Sequence, residues 1–111
     1  MARTRLLFVC TGNSDRSPTA EKLFDDHDHY TARSCGIAPL AHIPVSDELI
    51  EWSDYIICME VPHRFVLLNR YPAAQSKPFF VLAIPDLYQK DEPELVEKLR
   101  EKLREVVGIE V

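Results

Sequence analysis

The chain has 111 residues, 46% of them apolar, which suits one domain with a modest hydrophobic core. Its formal net charge of -5 does not support nucleic-acid binding, which needs a basic face, and no apolar run approaches the roughly 18 residues of a membrane span. The three cysteines are odd in number and widely spaced, which favours a reduced compartment. We therefore expect a cytoplasmic protein with a single domain over residues 1–111.

The first part of the chain predicts a strand, a short polar loop and a helix, in that order. A strand is predicted over residues 4–9, because it contains the continuous apolar run of residues 6–9, typical of a strand that is buried on both faces in a parallel sheet. The loop follows over residues 10–17. Ser17 is expected to cap the next helix, with Pro18 at its first position.

The rest of the chain continues the alternation of strands and helices. Further strands are predicted over residues 30–35, 55–59 and 78–82. Further helices are predicted over residues 47–52, 62–70 and from 93 onward. The last helix carries an apolar stripe of Leu95, Val96, Leu99, Leu103 and Val106. This pattern predicts an α/β fold, a single doubly wound domain whose four-stranded parallel sheet has helices on both faces.

Three segments are expected to meet at the carboxyl edge of this sheet, where such folds bind ligands. They are the loop after the first strand, the residues after the third strand beginning at Met59 and Glu60, and the loop after the fourth strand, which carries Asp86. The first of these carries the most distinctive chemistry.

Cys10 opens the first loop and Arg16 closes it. The cysteine is a candidate nucleophile, and the arginine offers a planar, two-pronged partner for oxygen anions. Gly12 and Asn13 tolerate left-handed backbone, so the backbone amides between Cys10 and Arg16 can point inward and form a cradle for an anion. These amides, Arg16 and the Ser17 hydroxyl would favour a thiolate at Cys10. Attack on a phosphorus atom held in this loop would give a phosphocysteine.

Asp86 is the candidate acid that gives a proton to the leaving group and later activates water. The alternative is an ordinary turn aspartate after Pro85. The acids and histidines of residues 25–29 are interpreted as a solvated helix end rather than a metal site. Cys35 and Cys58 are interpreted as structural, and we expect no metal or other cofactor.

Residues 7–21 read LFVCTGNSDRSPTAE, and three later blocks occur at residues 34–36, 54–60 and 84–88. In these blocks the sequence resembles the low-molecular-weight protein tyrosine phosphatase family, which also includes arsenate reductases. Within that family it is similar to a short bacterial branch of predicted tyrosine phosphatases. The resemblance implies a low-molecular-weight phosphatase-like domain and a metal-free, two-step reaction on phosphotyrosine proteins or small aryl phosphates.

The resemblance also implies a role for individual residues. Cys10 would be the nucleophile, Arg16 the phosphate clamp, and Asp86 the general acid. Ser17 would stabilise the thiolate, and Asn13 would hold the shape of the loop. The substrate-binding residues are expected to be Thr11, Gly12, Asn13, Ser14, Asp15, Ser17 and Tyr88.

The sequence departs from the family at three places. Residues 37–45 lack an aromatic wall, Leu87 replaces a proline, and Asp15 stands where many relatives have a second cysteine. We expect the Asp15 side chain to point outward, and the alternatives are pairing with a cation such as His63 or Arg64, or protonation. The alternative functions are an arsenate reductase and a non-catalytic phosphate-recognition module.

Overall fold

Four parallel strands form the centre of the molecule, and the computed structural model describes residues 2–111. Met1, which the predicted domain includes, lies outside the described residues. The strands are β1 Thr4–Cys10, β2 Tyr30–Gly36, β3 Tyr55–Cys58 and β4 Phe79–Val81. They are arranged in the order β2-β1-β3-β4, with every neighbouring pair parallel.

The connections between the strands are helical. The helices are α1 Arg16–Lys22, α2 Asp47–Trp52, α3 Val61–Arg70 and α4 Pro93–Lys102. A short 3-10 helix, Pro72–Ser76, was not predicted and leads from α3 to β4, while a π-helical turn, Leu103–Val107, extends α4. The predicted doubly wound α/β fold is confirmed.

The side chains of β1 alternate between two hydrophobic clusters, one on each face of the sheet. Leu6 and Phe8 pack with residues of α1 and α4, whereas Leu7 and Val9 pack with residues of α2 and α3. All four are fully buried. The continuous apolar run arises because a strand between two helical layers has no solvent-facing side.

Two predictions about the helices are wrong. Helix α1 begins at Arg16, so Ser17 lies inside the helix, and Asp15 occupies the capping position without a side-chain cap bond. The Ser17 hydroxyl contacts Cys10 instead. At the other end of the chain, Val106 is 39% exposed and Val107 packs against the core. The π-helical turn explains this difference, because its wider turn changes the face on which later residues lie.

The fold places a crevice at the carboxyl end of β1. The chain moves from β1 to β2 on one side and then crosses back to β3 on the other, and such a change of direction opens a cleft between the flanking loops. Cys10 is the last residue of β1 and lies at this point. Within residues 2–111, no helix is both long and apolar enough to cross a membrane.

Candidate active site

The backbone of the loop after β1 is held from its outer side. The carbonyl oxygens of Cys10, Thr11 and Gly12 each accept a hydrogen bond from the segment that follows β2. The donors are the amides of Ile37, Ala38 and His42, at 3.0, 3.0 and 3.1 Å respectively. A trans peptide directs its N–H opposite to its C=O, so the amides of Thr11, Gly12 and Asn13 face the inner side of the loop. The backbone therefore has the orientation that the predicted anion cradle requires.

Gly36, at the end of β2, makes this close approach possible. A Cβ atom at this position would lie 2.5 Å from the Thr11 carbonyl oxygen and 2.9 Å from the Asn13 nitrogen. Both distances are shorter than side-chain carbons tolerate, and both neighbours are backbone atoms. Only glycine lets the loop pack on β2 in this way.

The Cys10 sulfur lies at the base of the cradle and is 2% exposed. It accepts a hydrogen bond from the backbone N–H of Asn13 at 3.2 Å and lies 2.9 Å from the Ser17 hydroxyl oxygen. Asn13 reaches the sulfur through a left-handed backbone conformation, with φ of 55°. Asparagine tolerates that conformation better than most residues. The Asn13 N–H stabilises a negative charge on sulfur, and the Ser17 hydroxyl does so when it donates to sulfur rather than to the Cys35 carbonyl oxygen, 3.3 Å away.

The Asn13 side chain connects the loop to its surroundings. Its amide nitrogen donates to the hydroxyls of Ser17 at 2.9 Å and Ser34 at 3.0 Å, and its oxygen accepts from the Ile43 N–H at 3.1 Å. Ser34 in turn donates to Glu21 at 2.6 Å. Both the nitrogen and the oxygen of this buried side-chain amide therefore make hydrogen bonds, and these bonds fix the loop in one conformation.

Arg16 is almost completely buried, although it is charged. Its Nη1 donates to Glu60 Oε1 at 2.5 Å and to the Ile84 carbonyl oxygen at 2.8 Å. These contacts fix the plane of the guanidinium. Its Nε lies 3.8 Å from Asp86 Oδ1, so the candidate clamp and the candidate acid lie side by side.

His63, at the start of α3, supports the loop from the other side. Its Nδ1 accepts from the Glu60 N–H at 3.0 Å, so the ring donates through Nε2 to the Thr11 hydroxyl at 2.9 Å. Burial, reinforced by the positive charge of Arg16, lowers the pKa of His63 to about 4. The ring is therefore neutral at neutral pH, as this hydrogen-bond arrangement requires.

Asp15 is partly buried, and its carboxylate contacts a distant part of the chain. Its Oδ1 accepts a hydrogen bond from the backbone N–H of Lys90 at 2.9 Å. His63 instead contacts Thr11, and the Arg64 guanidinium lies over the Phe79 ring. Between residues 2 and 111, Asp15 has no ion pair with His63 or Arg64.

The remaining predicted site residues lie at the edge of the cradle or beyond it. Ser14 is exposed, with its hydroxyl 3.5 Å from the Gly12 carbonyl oxygen. The Asp86 side chain is 65% exposed. Tyr88 is partly buried and packs against the hydrophobic cluster on the α1 and α4 face. A direct contact between Tyr88 and the substrate stays a prediction.

An open cavity of about 600 Å³ adjoins the loop on the α1 side. Its lining includes Ser14, Lys22, His42 and Lys90, with charges of both signs. Cys10, Arg16 and Asp86 are not part of this lining, so the cavity is separate from the candidate catalytic residues.

Three residues have roles that the sequence did not assign. Glu60 and His63 follow β3 at the predicted carboxyl edge, which was the only signal that they lie near the loop. Ser34 was noticed only within a family-like block, because a serine in a strand gives no local sign of bonding to a distant asparagine.

Cys35 and Cys58 lie in the hydrophobic cluster on the α2 and α3 face, whereas Cys10 belongs to the cluster on the opposite face. Burial raises the pKa of Cys35, an effect that Cys10 and Cys58 reinforce, and burial raises the pKa of Cys58 to about 12. Both are inert, buried thiols. Among the described residues, no three His, Cys, Asp or Glu side chains are grouped to hold a metal ion.

Comparisons with known proteins agree with this geometry. Residues 5–44 match the model of the family described as low molecular weight phosphotyrosine protein phosphatase. A protein-arginine-phosphatase from Geobacillus stearothermophilus is 28% identical, over 68% of this chain and 67% of that protein.

Two solved structures share the fold. The YwlE arginine phosphatase from Geobacillus stearothermophilus has 24% identity and a TM-score of 0.68, covering 92% of this chain and 91% of that one. The tyrosine phosphatase Wzb from Escherichia coli K30, in complex with phosphate, has 19% identity and a TM-score of 0.72, covering 94% and 96%. The predicted resemblance to the low-molecular-weight phosphatase family is confirmed.

Proposed function

We propose that this chain is a cysteine-dependent protein phosphatase that works through a phosphocysteine intermediate. The observation that carries the proposal is the Cys10 sulfur, held by the Asn13 N–H and the Ser17 hydroxyl at the base of an inward-facing amide loop. Arg16 and Asp86 lie together beside the same loop. A nucleophile, an anion clamp and an acid are the parts that a two-step phosphoryl transfer needs.

In the first step the Cys10 thiolate attacks phosphorus, so that the S–P bond forms while the bond to the leaving group breaks. The loop amides and Arg16 hold the phosphoryl oxygens and stabilise the charge that gathers on them. The Asp86 carboxyl gives its proton to the leaving atom. The product is a phosphocysteine and a protonated leaving group.

In the second step water attacks the phosphocysteine, and the Asp86 carboxylate takes a proton from that water. The S–P bond breaks, inorganic phosphate forms, and the sulfur returns as a thiolate. The Ser17 hydroxyl, 2.9 Å away, donates to the sulfur as it regains its charge. Asp86 ends the cycle protonated, ready for the next substrate.

There are two candidate classes of substrate. The sequence predicts phosphotyrosine or small aryl phosphates. Phosphoarginine is the second candidate, because the curated relative is a protein-arginine-phosphatase. It is also favoured by residues 37–45, which contain no Phe, Tyr or Trp to stack on a phenol ring, and by the carboxylates of Glu60 and Asp86, which would attract a guanidinium.

The arrangement disfavours the two other functions. Arsenate reduction by a thiol relay would need an accessible second thiol, but Cys35 and Cys58 are fully buried in the hydrophobic cluster on the opposite face of the sheet. A module that only recognises phosphate would need no acid, whereas Asp86 lies 3.8 Å from Arg16.

The test is hydrolysis of p-nitrophenyl phosphate by the purified chain. Cys10→Ser should abolish turnover, and Asp86→Asn should lower kcat by roughly 100-fold or more, since it removes the base that activates water in the second step and general acid–base catalysis contributes about that much. Asp28→Asn, a change of the same kind at an exposed aspartate beyond α1, is the matched control and should be as active as the wild type.

A binding module would show no turnover together with tight binding of phosphate or vanadate, and that result would overturn the proposal. The substrate class is tested with one peptide carrying either phosphotyrosine or phosphoarginine. The ratio of the two kcat/KM values decides between the candidates.

A further inference from the structure

Asp15 joins the catalytic loop to the segment that carries Asp86. Its carboxylate accepts the hydrogen bond from the Lys90 backbone N–H, a contact between residues 75 positions apart in the chain. The segment from residue 82 to 92 has no helix or strand, so no regular ladder of backbone hydrogen bonds fixes its middle. A bond to a carboxylate is among the stronger single contacts available to such an amide.

The same face of α1 makes two more contacts with this segment. The Thr19 hydroxyl oxygen accepts from the Asp91 N–H at 2.9 Å while donating to the Asp15 carbonyl oxygen at 2.6 Å. Lys22 Nζ lies 3.5 Å from Asp91 Oδ2. Asp15, Thr19 and Lys22 follow helical spacing and therefore lie in one row.

The other end of the segment is also fixed. The Ile84 N–H donates to the Met59 carbonyl oxygen at 2.9 Å, and the Ile84 carbonyl oxygen accepts from Arg16. Ala83 and Asp91, close to the two ends, both have left-handed backbone, with φ of 57° and 61°. Non-glycine residues keep that conformation only where their surroundings impose it.

Asp86 lies between these two fixed ends and is itself mostly exposed. Only residues 85–89 separate Ile84 from Lys90, so the position of Asp86 depends on both ends. The upstream end is held by the sheet and Arg16, while the downstream end is held by Asp15 and its neighbours on α1.

We propose that Asp15 is a positioning residue for Asp86: its carboxylate holds the Lys90 end of the acid-bearing segment against the catalytic loop. This inference rests on the proposed phosphatase function. The inference explains why an acid at position 15 is useful: a cysteine thiol there would be too weak a hydrogen-bond acceptor to hold the Lys90 N–H. Loss of the contact should impair proton transfer to the leaving group and leave phosphate binding intact.

The test compares substrates with good and poor leaving groups. Asp15→Ala should lower kcat/KM for phenyl phosphate by about tenfold, because kcat/KM reports the step in which the leaving group departs and phenolate leaves poorly without a proton. For p-nitrophenyl phosphate, whose leaving group needs that proton less, the loss of kcat/KM should be less than about twofold. Asp15→Asn keeps an oxygen acceptor and should recover most of the phenyl phosphate rate.

Asp28→Ala, which removes an equal charge from an exposed site beyond α1, is the control. A structural or purely electrostatic role for Asp15 would change both kcat/KM values by the same factor. In the Asp86→Asn background the Asp15→Ala change should have no further effect on phenyl phosphate hydrolysis, since the acid it positions is gone. Equal losses for both substrates, or a full additive loss in that background, would overturn the inference.

Failure of the proposed function gives a different result. In that case the wild type hydrolyses neither substrate, or Cys10→Ser is as active as the wild type. Amide hydrogen exchange at Lys90 is a readout that needs no turnover: it should be slow in the wild type and in Asp15→Asn, and fast in Asp15→Ala. Unchanged exchange in Asp15→Ala would overturn the inference whatever the activity.

Discussion

The catalytic loop and the segment that carries Asp86 meet at one site but are built in different ways. Cys10, Asn13, Arg16 and Ser17 are each at most 2% exposed, and hydrogen bonds join the loop to β2, to the segment after β2 and, through Arg16, to Glu60 and Ile84. The segment over residues 82–92 has an exposed aspartate in its middle and is held mainly near its ends.

This difference separates two kinds of catalytic requirement. A nucleophile and an anion cradle must be in place before the substrate arrives, and burial with complete hydrogen bonding achieves this. An acid must reach a leaving group whose size varies, and an exposed side chain between two fixed points can do so. Changes in the loop should therefore affect folding strongly, while changes in the segment should affect the reaction and hardly affect folding.

The largest effect on folding is expected at Asn13. Asn13→Ala removes its hydrogen bonds to Ser17, Ser34 and Ile43 and should lower the free energy of unfolding by about 3 kcal/mol. Urea denaturation measures this. Asn13→Gly is the matched control: it loses the same bonds but accepts the positive φ, so it should be about 1 kcal/mol more stable than the alanine variant.

If Asn13→Ala were within about 0.5 kcal/mol of the wild type, the loop would not be fixed by its buried amide network. The contrast between the two regions would then be wrong.

A smaller, pH-dependent effect is expected at His63. Unfolded histidine binds a proton below about pH 6.5, while the folded pKa is about 4 because of burial and the nearby Arg16 charge. The unfolded state therefore binds more protons between these values, and the protein loses stability as the pH falls through this window. Glu60 and Asp86 also face the ring and oppose the shift.

His63→Gln should remove this contribution, so that its unfolding free energy changes less than that of the wild type between pH 6.5 and 4. His29→Gln, at an exposed position, controls for the loss of a histidine and should follow the wild type. If the unfolding free energies of the wild type and His63→Gln changed in parallel with pH, His63 would not be held neutral beside the loop.

The smallest effect is expected in the other region. Asp86→Asn should change the free energy of unfolding by less than about 0.5 kcal/mol, because its contact with Arg16 is long and its side chain is 65% exposed. The same variant should have a large effect on turnover. A destabilisation as large as that of Asn13→Ala would mean that the segment, too, is part of the folded support of the loop.

The sequence predicted most of the fold because its signals are local. Apolar runs bounded by turn residues predict β1, β3 and β4, the glycine at residue 36 marks the end of β2, and the proline at residue 93 marks the start of α4. The loop between Cys10 and Arg16 was recognisable because its residue types and spacing carry a chemical requirement. Asp86 was expected at the same edge from the order of strands alone.

The contacts that complete the site were not predictable in this way. The partner of Asp15 is a backbone N–H at residue 90, and every residue other than proline carries such a donor, so nothing in the sequence marks this one. Ser17 looked like a helix cap because capping is the usual role of a serine before a proline. Its hydroxyl contacts the Cys10 sulfur instead, because β1 ends at Cys10 and places that sulfur next to it.

The central claim is that Cys10 accepts the phosphoryl group, and trapping the intermediate tests it most directly. With p-nitrophenyl phosphate, Asp86→Asn should accumulate the phosphocysteine intermediate. The good leaving group departs without a proton from residue 86, but hydrolysis of the intermediate is slow because the carboxylate that activates water is missing. After rapid quenching, mass spectrometry should find one phosphoryl group on the peptide that contains Cys10, and none in Cys10→Ala. Continued turnover with no phosphoryl group on Cys10 at any time, or with the group on another residue, would contradict the account.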